Sequence, residues 1–251
     1  MTSYNAFMAK TKTATEPARR TRTRKTSSST PARPRAARGA ASTKAETPYH
    51  HGALREALLL AAERVLERDG LAGLTLRAVA REAGVSHAAP THHFGDLTGL
   101  VSELAAVGFR QFNATMAASS DAATTPLERA LARPKAYVAY AQAHPGMYGI
   151  MFRTERLDYS RPSLHEAAEA SFAGLANAIG AMRQEQISRD TMTLDQAAAI
   201  ARAWSMVHGF TMLLLDGRLE DILERLPKGT TAENLLEAML KSMGPGKLPT
   251  S

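Results

Sequence analysis

The chain has 251 residues, no cysteine and a formal net charge of +7. The length predicts one small module and one larger core, and the lack of cysteine excludes disulfide frameworks, thiolate metal sites and cysteine nucleophiles. Uninterrupted apolar stretches fall far short of the ~20 residues that cross a bilayer, and no apolar segment precedes a cleavage-like site near the amino terminus, so we expect a soluble, cytoplasmic protein.

Most of the excess charge lies in the first 48 residues. This segment holds eleven Lys or Arg residues against Glu16 and Glu46, a net charge of +9, so the rest of the chain is near neutral. It is rich in Thr, Ser, Ala and Pro, and it has too few large apolar side chains to offset the entropy of ordering. We interpret residues 1–48 as a disordered basic tail, either an arm that touches nucleic-acid phosphates or a solvated tail; its composition is also that of an organelle transit peptide.

The next segment has the pattern of a helix-turn-helix. Apolar residues recur at helical spacing up to Gly70, which predicts a left-handed stop. Thr75 can then cap a short helix, Gly84 supplies the positive φ of a sharp turn, and Ser86 is predicted to cap a second helix. This order predicts a three-helix DNA-binding domain over residues 49–97.

The remainder contains only helical patterns, with no alternating strand pattern and no internal repeat, so the predicted fold class is all-α. Pro134 should kink a helix, and His144-Pro145-Gly146 should end it. We predict a helical bundle over residues 98–245 and a flexible carboxy terminus over 246–251. Four helix starts are predicted where Ser or Thr is followed three residues later by Glu or Gln: Thr125–Glu128, Ser163–Glu166, Thr193–Gln196 and Thr230–Glu233.

Residues 49 to about 100, including the segment LTLRAVAREAGVS, resemble the tetracycline-repressor family. Two later stretches, AYVAYAQAHPGMYGIMF and AWSMVHGF, are similar to a subgroup of that family whose effector domain carries a Trp-x-x-x-His-Gly motif. The resemblance implies a homodimer that binds a near-palindromic operator in double-stranded DNA and is released by a small-molecule effector. It assigns effector binding and dimerisation to the helical bundle over residues 98–245.

The resemblance also assigns the DNA contacts. Two positions depart from the family, because Thr91 stands where a tyrosine is usual and Leu97 stands where a lysine is frequent. These departures remove two phosphate contacts, which the basic tail could replace. The residues that the resemblance places near bases or phosphates are Thr75, Arg77, Ser86, His87, Ala88, Ala89, Thr91 and His92.

Aromatic and methionine residues of the second domain are candidates for an effector pocket, because apolar cavities with few polar groups suit drug-like molecules. Core packing explains the same residues equally well. In a family-like bundle, the apolar faces of the last long helices would pack across a two-fold axis. The pocket candidates are Tyr137, Met147, Met151, Phe152, Trp204 and His208, and the dimer candidates are Ile200, Val207, Leu235, Leu236 and Met239.

Other functions have less support in the sequence. Five of the eight histidines lie between residues 50 and 93, but no i, i+4 pair exists among them, so no metal site is predicted. The chain has no phosphate-cradling glycine loop and no activated-nucleophile turn, so neither a cofactor nor an enzymatic activity is predicted. Two alternatives stay open: an architectural DNA-binding protein without an effector cavity, and a helical enzyme with a catalytic constellation in that cavity.

Overall fold

A computed structural model of the protein describes residues 51–122, 126–152 and 154–242. Over these residues the chain is helical and has no strand, which confirms the predicted all-α class. The helices are α1 His51–Gly73, α2 Leu76–Glu82, α3 Ala88–Phe94, α4 Leu97–Asp121, α5 Pro126–Ala143, α6 Pro145–Phe152, α7 Pro162–Arg183, α8 Leu194–Leu215, α9 Glu220–Glu224 and α10 Ala232–Ser242, with a 3-10 helix over Arg189–Thr191.

The long helix α4 is the centre of the fold. It begins at Leu97, where the predicted boundary between the two domains falls, and it contacts α1, α3, α5, α6 and α7. Its buried face belongs to one continuous hydrophobic core shared with these helices. The predicted tail 1–48 and the carboxy-terminal segment 246–251 lie outside the described residues.

The first three helices form the predicted helix-turn-helix. Gly70 has a φ of 69°, which interrupts the helical run of α1 at the predicted residue. The Thr75 side chain accepts a hydrogen bond from the Ala78 N–H at 3.1 Å and thereby caps α2. Gly84 turns the chain with a φ of 68°, and Val85 packs back against the core.

The later capping boxes agree with prediction at one position and shift at another. Thr193 and Gln196 form a complete capping box at the start of α8, which confirms the predicted pair. At the start of α10 the reciprocal bonds instead join Thr231 to Asn234, one residue beyond the predicted Thr230–Glu233 pair. The prediction there was wrong because the Thr230 hydroxyl donates to a carbonyl in the preceding turn. The predicted cap at Thr125 lies outside the described residues.

Two predicted serine caps are also wrong. Helix α7 begins at Pro162, whose fixed φ suits a first helical position, so Ser163 lies inside the first turn. The Ser163 hydroxyl donates to the Glu103 carboxylate at 2.8 Å instead of capping the helix. At α3 the N-cap residue is His87 rather than Ser86, and no side chain caps this start.

Helix α8 is long and apolar enough to cross a membrane by length and composition alone, with a mean hydropathy of 1.3 in its most apolar window. The sequence reasoning did not single it out, because its apolar residues are interrupted by polar ones. Core helices of soluble proteins pass the same test. In this structure α8 packs against α5 and α7 through buried residues that include Ile200 and Phe210.

Candidate DNA interface and effector site

Helix α3 is held in the DNA-binding module by two side chains one turn apart. Pro90 and Phe94 are buried, and Phe94 is only 2% exposed. The Arg55 guanidinium of α1 lies 5.7 Å from the centre of the Phe94 ring. Because these anchors occupy one face of a short helix, the other face of α3 is left outside the core.

The residues predicted to contact DNA lie on this outer face of α3, in the turn before it and at the start of α2. Their side chains are short or polar, which suits close approach to base edges and phosphates. Ala89 is half-buried, and the other seven are exposed: Thr75, Arg77, Ser86, His87, Ala88, Thr91 and His92.

A pair of arginines fixes α2 on α1. Arg64 Nε donates to Glu82 at 2.9 Å, and Arg68 Nη1 donates to the other oxygen of the same carboxylate at 3.0 Å. These hydrogen bonds lower the pKa of Glu82. Because the ion pairs are exposed, they orient α2 more than they stabilise the fold.

A cation from the start of α7 reaches the end of α3. Arg161 Nη2 donates to the Phe94 carbonyl oxygen at 3.0 Å, and Arg161 Nη1 lies 3.6 Å from Glu103. The Glu103 carboxylate, buried in α4, also accepts from Arg55 at 2.5 Å and from Ser163 at 2.8 Å. One carboxylate therefore joins α1, α4 and α7 beside the carboxy terminus of α3, where a cation is favourable.

Gly99 permits this close meeting of α3, α4 and α7. A Cβ at Gly99 would lie 2.0 Å from the Phe94 carbonyl oxygen and 2.4 Å from Arg161 Nη2. Asp96 fixes the start of α4 at the same point by accepting from the Gly99 N–H at 2.8 Å. Only glycine fits here without displacing backbone.

A second connection joins α1 to α6. The Glu67 carboxylate accepts from the Met147 N–H at 3.0 Å and from the Gly146 N–H at 3.1 Å. These are amides of the first turn of α6, which have no partner within their own helix and favour a negative charge. The Glu67 carboxylate therefore attaches α1 directly to the start of α6.

The side chains of α6 enter a cluster of aromatic residues around His208. The hydroxyl oxygens of Tyr137 and Tyr148 lie 2.9 and 2.8 Å from His208 Nδ1 and 3.3 Å from each other. The Phe152 ring centre lies 5.0 Å from that of Tyr148 and 5.5 Å from that of His208. Burial raises the pKa of the Tyr137 phenol, and a hydrogen bond with Trp204 opposes the shift. The cluster is thus mostly aromatic, with a few polar groups.

The structure places the six predicted pocket residues in two groups. Tyr137, Phe152 and His208 lie in the aromatic cluster, and Trp204 lies at its edge, 40% exposed. Met147 and Met151 are buried against α4 instead, where a Cβ on Gly108 would lie 2.7 and 2.8 Å from their sulfur atoms.

Sequence reasoning missed two members of the cluster. Tyr148 lies one helical turn before Phe152, so the i, i+4 spacing could have found it. Phe112 comes from α4, and its ring centre lies 5.1 Å from that of Tyr137 and 6.1 Å from that of Phe152. No local pattern indicates that contact.

Arg133 was also missed. It lies one turn before Tyr137 on α5 and is half-buried between α4 and α7. Its Nη1 is 3.5 Å from both the Met116 carbonyl oxygen and the Ser120 hydroxyl. Burial lowers the pKa of Arg133, and no described carboxylate pairs with it.

A groove of about 250 Å³ lies on the opposite face of α5, against α10. Its polar lining includes Lys135 and Glu233, which form an ion pair at 3.1 Å. The lining contains none of the predicted pocket residues. The aromatic cluster and the groove are therefore separate features of α5.

The predicted dimer residues are largely covered by the chain itself. Ile200, Val207 and Leu236 are buried in the core, and Leu235 and Met239 are half-buried against it. Apolar surface is available instead on the outer side of α8. The large apolar side chains that α8 exposes are Leu194, Trp204 and Leu213.

Two family models match the chain. The model "Bacterial regulatory proteins, tetR family" matches residues 58–104, and the model "Tetracyclin repressor-like, C-terminal domain" matches residues 128–243. No curated protein matches the chain. Together the two models span the helix-turn-helix and the helical domain that carries the aromatic cluster.

Solved structures support the same assignment. The chain is similar to a protein of unknown function from Rhodococcus sp. RHA1, with 32% identity, a TM-score of 0.63, and coverage of 78% of this chain and 96% of that one. Its fold is also that of a protein assigned to the tetR family of transcription regulators from Shewanella sp. PV-4, with 16% identity, a TM-score of 0.53 and coverage of 74% and 95%. FadR, a transcriptional regulator from Bacillus subtilis, shares the fold at 14% identity, with a TM-score of 0.53 and coverage of 74% and 95%. From the two matched domains and the 32% identical relative, the chain belongs to the tetracycline-repressor family of bacterial transcription regulators, which are not enzymes.

Proposed function

We propose that the protein is a cytoplasmic repressor that binds a near-palindromic operator as a homodimer and leaves it when a small-molecule effector binds. The observation that carries the proposal is the outer face of α3, which the buried Pro90 and Phe94 leave outside the core. A helix presented in this way would enter the major groove, with its first turn at the base edges. The matches to the tetracycline-repressor family over residues 58–104 and 128–243 also support the proposal.

Selection of bound sequences from random DNA by the purified protein tests operator binding. Once an operator is identified, His87→Ala should lower the affinity for operator DNA by about 10- to 100-fold, which is the effect of losing one good base contact. The affinity for random DNA should fall much less. His165→Ala, at an exposed histidine of α7, is the matched control and should change neither affinity. Equal losses on both DNAs would contradict the assignment of His87 to base contact.

The homodimer would form through the exposed face of α8. Four residues of α8 are exposed and recur at the four-and-three spacing of a helix–helix seam: Leu194, Ala198, Ala201 and Ser205. Small side chains in this seam would let a second α8 approach closely across a two-fold axis. A partner helix on this face also accounts for the low burial of α8 within one chain, where 28% of its apolar window is covered.

Charges on this face should produce monomers. Ala201→Glu combined with Leu213→Glu should lower the mass seen in sedimentation and abolish operator binding, because a dimer must span two half-sites. Leu60→Glu, on the exposed side of α1, is the control and should stay dimeric. A charge at Leu236 is unsuitable, because that side chain is 1% exposed and the chain would unfold. A double variant that stays dimeric would exclude the α8 face.

The effector would bind at the aromatic cluster, and Trp204 and His208 there supply the Trp-x-x-x-His-Gly motif of the proposed subgroup. A few polar groups among aromatic rings suit a largely apolar ligand. A ligand that displaces α6 would pull on Glu67, and through it on α1. The two recognition helices would then leave the roughly 34–36 Å separation that one duplex turn demands.

Trp204 provides the test, because it is the only tryptophan of the chain. Compounds that change its fluorescence should also release labelled operator, measured by fluorescence anisotropy. A compound that binds at the cluster and leaves operator affinity unchanged would favour an architectural DNA-binding protein instead.

A further inference from the structure

We propose that Arg133 forms an anion-binding subsite beside the aromatic cluster, and that the effector is an apolar molecule carrying one carboxylate. The inference rests on the proposed effector-responsive function and adds the chemical class of the ligand.

The guanidinium of Arg133 has donors to spare. Its Nη1 makes two contacts, with Met116 O and Ser120 Oγ, both at 3.5 Å and thus longer than the usual 2.9–3.0 Å. Its Nε and Nη2 make no hydrogen bond to the described residues. These two groups form the side-on pair of donors that binds a carboxylate through two parallel hydrogen bonds.

The charge of Arg133 is also uncompensated. Burying a cation is costly unless it is paired, and the other half-buried Lys and Arg side chains among the described residues are paired. Lys135, two residues along, bonds to Glu237 at 2.9 Å, and Arg161 lies 3.6 Å from Glu103. Arg133 has no carboxylate within 4 Å among the described residues, and burial lowers its pKa. A bound carboxylate would supply the missing charge.

The aromatic cluster begins one helical turn from Arg133. Tyr137 follows it by one turn of α5, and Phe112 lies one turn before Met116 on α4. The rings of Phe112 and Tyr137 meet edge to face at 5.1 Å. With a helical rise of about 1.5 Å per residue, two turns from Arg133 span roughly 10 Å, the length of a fused aromatic ring pair or a medium acyl chain.

Matched pairs of probes that differ in charge test the subsite: 2-naphthoate against 2-naphthamide, and decanoate against decanamide. Binding to the full-length protein is followed by Trp204 fluorescence without DNA. At least one carboxylate should bind the wild-type protein about 10-fold or more tightly than its amide. Arg133→Gln should lower the affinity for that carboxylate by about 10- to 100-fold and leave the affinity for the amide unchanged. Arg133→Lys should keep part of the preference for the carboxylate over the amide. Arg110→Gln, at an exposed position of α4, is the control.

Failure of both carboxylates to bind better than their amides would overturn the proposal. An unchanged preference for the carboxylate in Arg133→Gln would also overturn it. Arg133 would then serve only to bind the polar groups near the end of α4. If circular dichroism shows that Arg133→Gln does not fold, the wild-type comparison and Arg133→Lys decide the question. Operator release is scored separately by anisotropy: carboxylate preference without release would contradict the proposed repressor function and leave the subsite standing.

Discussion

Replacing Tyr137 and Tyr148 by phenylalanine, singly and together, tests the arrangement around His208. Both phenols lie within hydrogen-bonding distance of the same ring nitrogen, at 2.9 and 2.8 Å. A neutral imidazole accepts at one nitrogen only, and it can accept here only in the tautomer that carries its proton on Nε2. Either phenol can therefore serve this nitrogen when the other is removed.

This sharing makes the losses non-additive. A buried hydrogen bond contributes about 0.5–1.5 kcal/mol net, and each single variant keeps one tyrosine donor, so each should lose about 0.5–1 kcal/mol of unfolding free energy. The double variant removes both tyrosine donors at once, so it also loses the hydrogen bond that either phenol can supply when the other is absent. The expected coupling energy is about 1–2 kcal/mol, and the melting temperature of the double variant should fall by about 5–10 °C.

Urea denaturation of the four proteins, followed by far-ultraviolet circular dichroism, measures the coupling. Tyr140→Phe provides the control, because the Tyr140 hydroxyl donates to the Gly108 carbonyl at 3.1 Å rather than to His208. Combined with Tyr148→Phe, it should be additive to within about 0.5 kcal/mol. Additive losses in the Tyr137 and Tyr148 cycle would refute the shared acceptor.

Three further predictions concern the tail, the α3–α4 contact and pH. Deleting residues 1–44 should flatten the slope of log affinity against log salt concentration by several units, because each neutralised phosphate adds ~0.9 to the slope. The preferred DNA sequence should stay the same. An unchanged slope would place the tail in solvent. Gly99→Ala should lower operator affinity and thermal stability, because its Cβ meets a backbone carbonyl, whereas Gly149→Ala has nothing within 4 Å and should be tolerated. Hydrogen bonds from two lysines lower the pKa of Glu237 to about 2, so its stabilising effect, present above pH 4.5, should disappear as pH falls toward 2. Melting curves of Glu237→Gln between pH 2 and 6 should lack that component.

The helix-turn-helix could be predicted from sequence because each of its turns has a local physical signature. Gly70 and Gly84 take the positive φ angles that their positions predicted, and Thr75 bonds within three residues of itself. The cap predictions at Ser163 and Thr230 failed because a neighbouring residue fixes the start of the helix instead. Pro162 fixes the start of α7 ahead of Ser163, and Thr231 lies directly after Thr230.

The candidate effector site was predictable only in part, because it depends on contacts between distant helices and not on local sequence signals. Tyr137, Phe152 and His208 could be proposed from residue type and helical position, but their meeting depends on how three helices pack. The contribution of Phe112 and the lack of a carboxylate partner for Arg133 depend on the neighbouring helices. The dimer residues were chosen from the apolar faces of the last long helices and from the packing of a family-like bundle. Neither distinguishes a face buried in its own core, as at Ile200, from one left exposed.

The unbroken course of α4 has a consequence for engineering. Here the start of α4 is built around Gly99 and the end of α3, while its middle is packed on Met147 and Phe152. A chimera that joins this helix-turn-helix to a relative's effector domain would have its junction beside the packed start of α4, and it would also need the partners of Glu67 and Glu103. Chimeras that carry both sets of contacts should respond to effector, and those that carry α1 to α3 alone should bind DNA without responding.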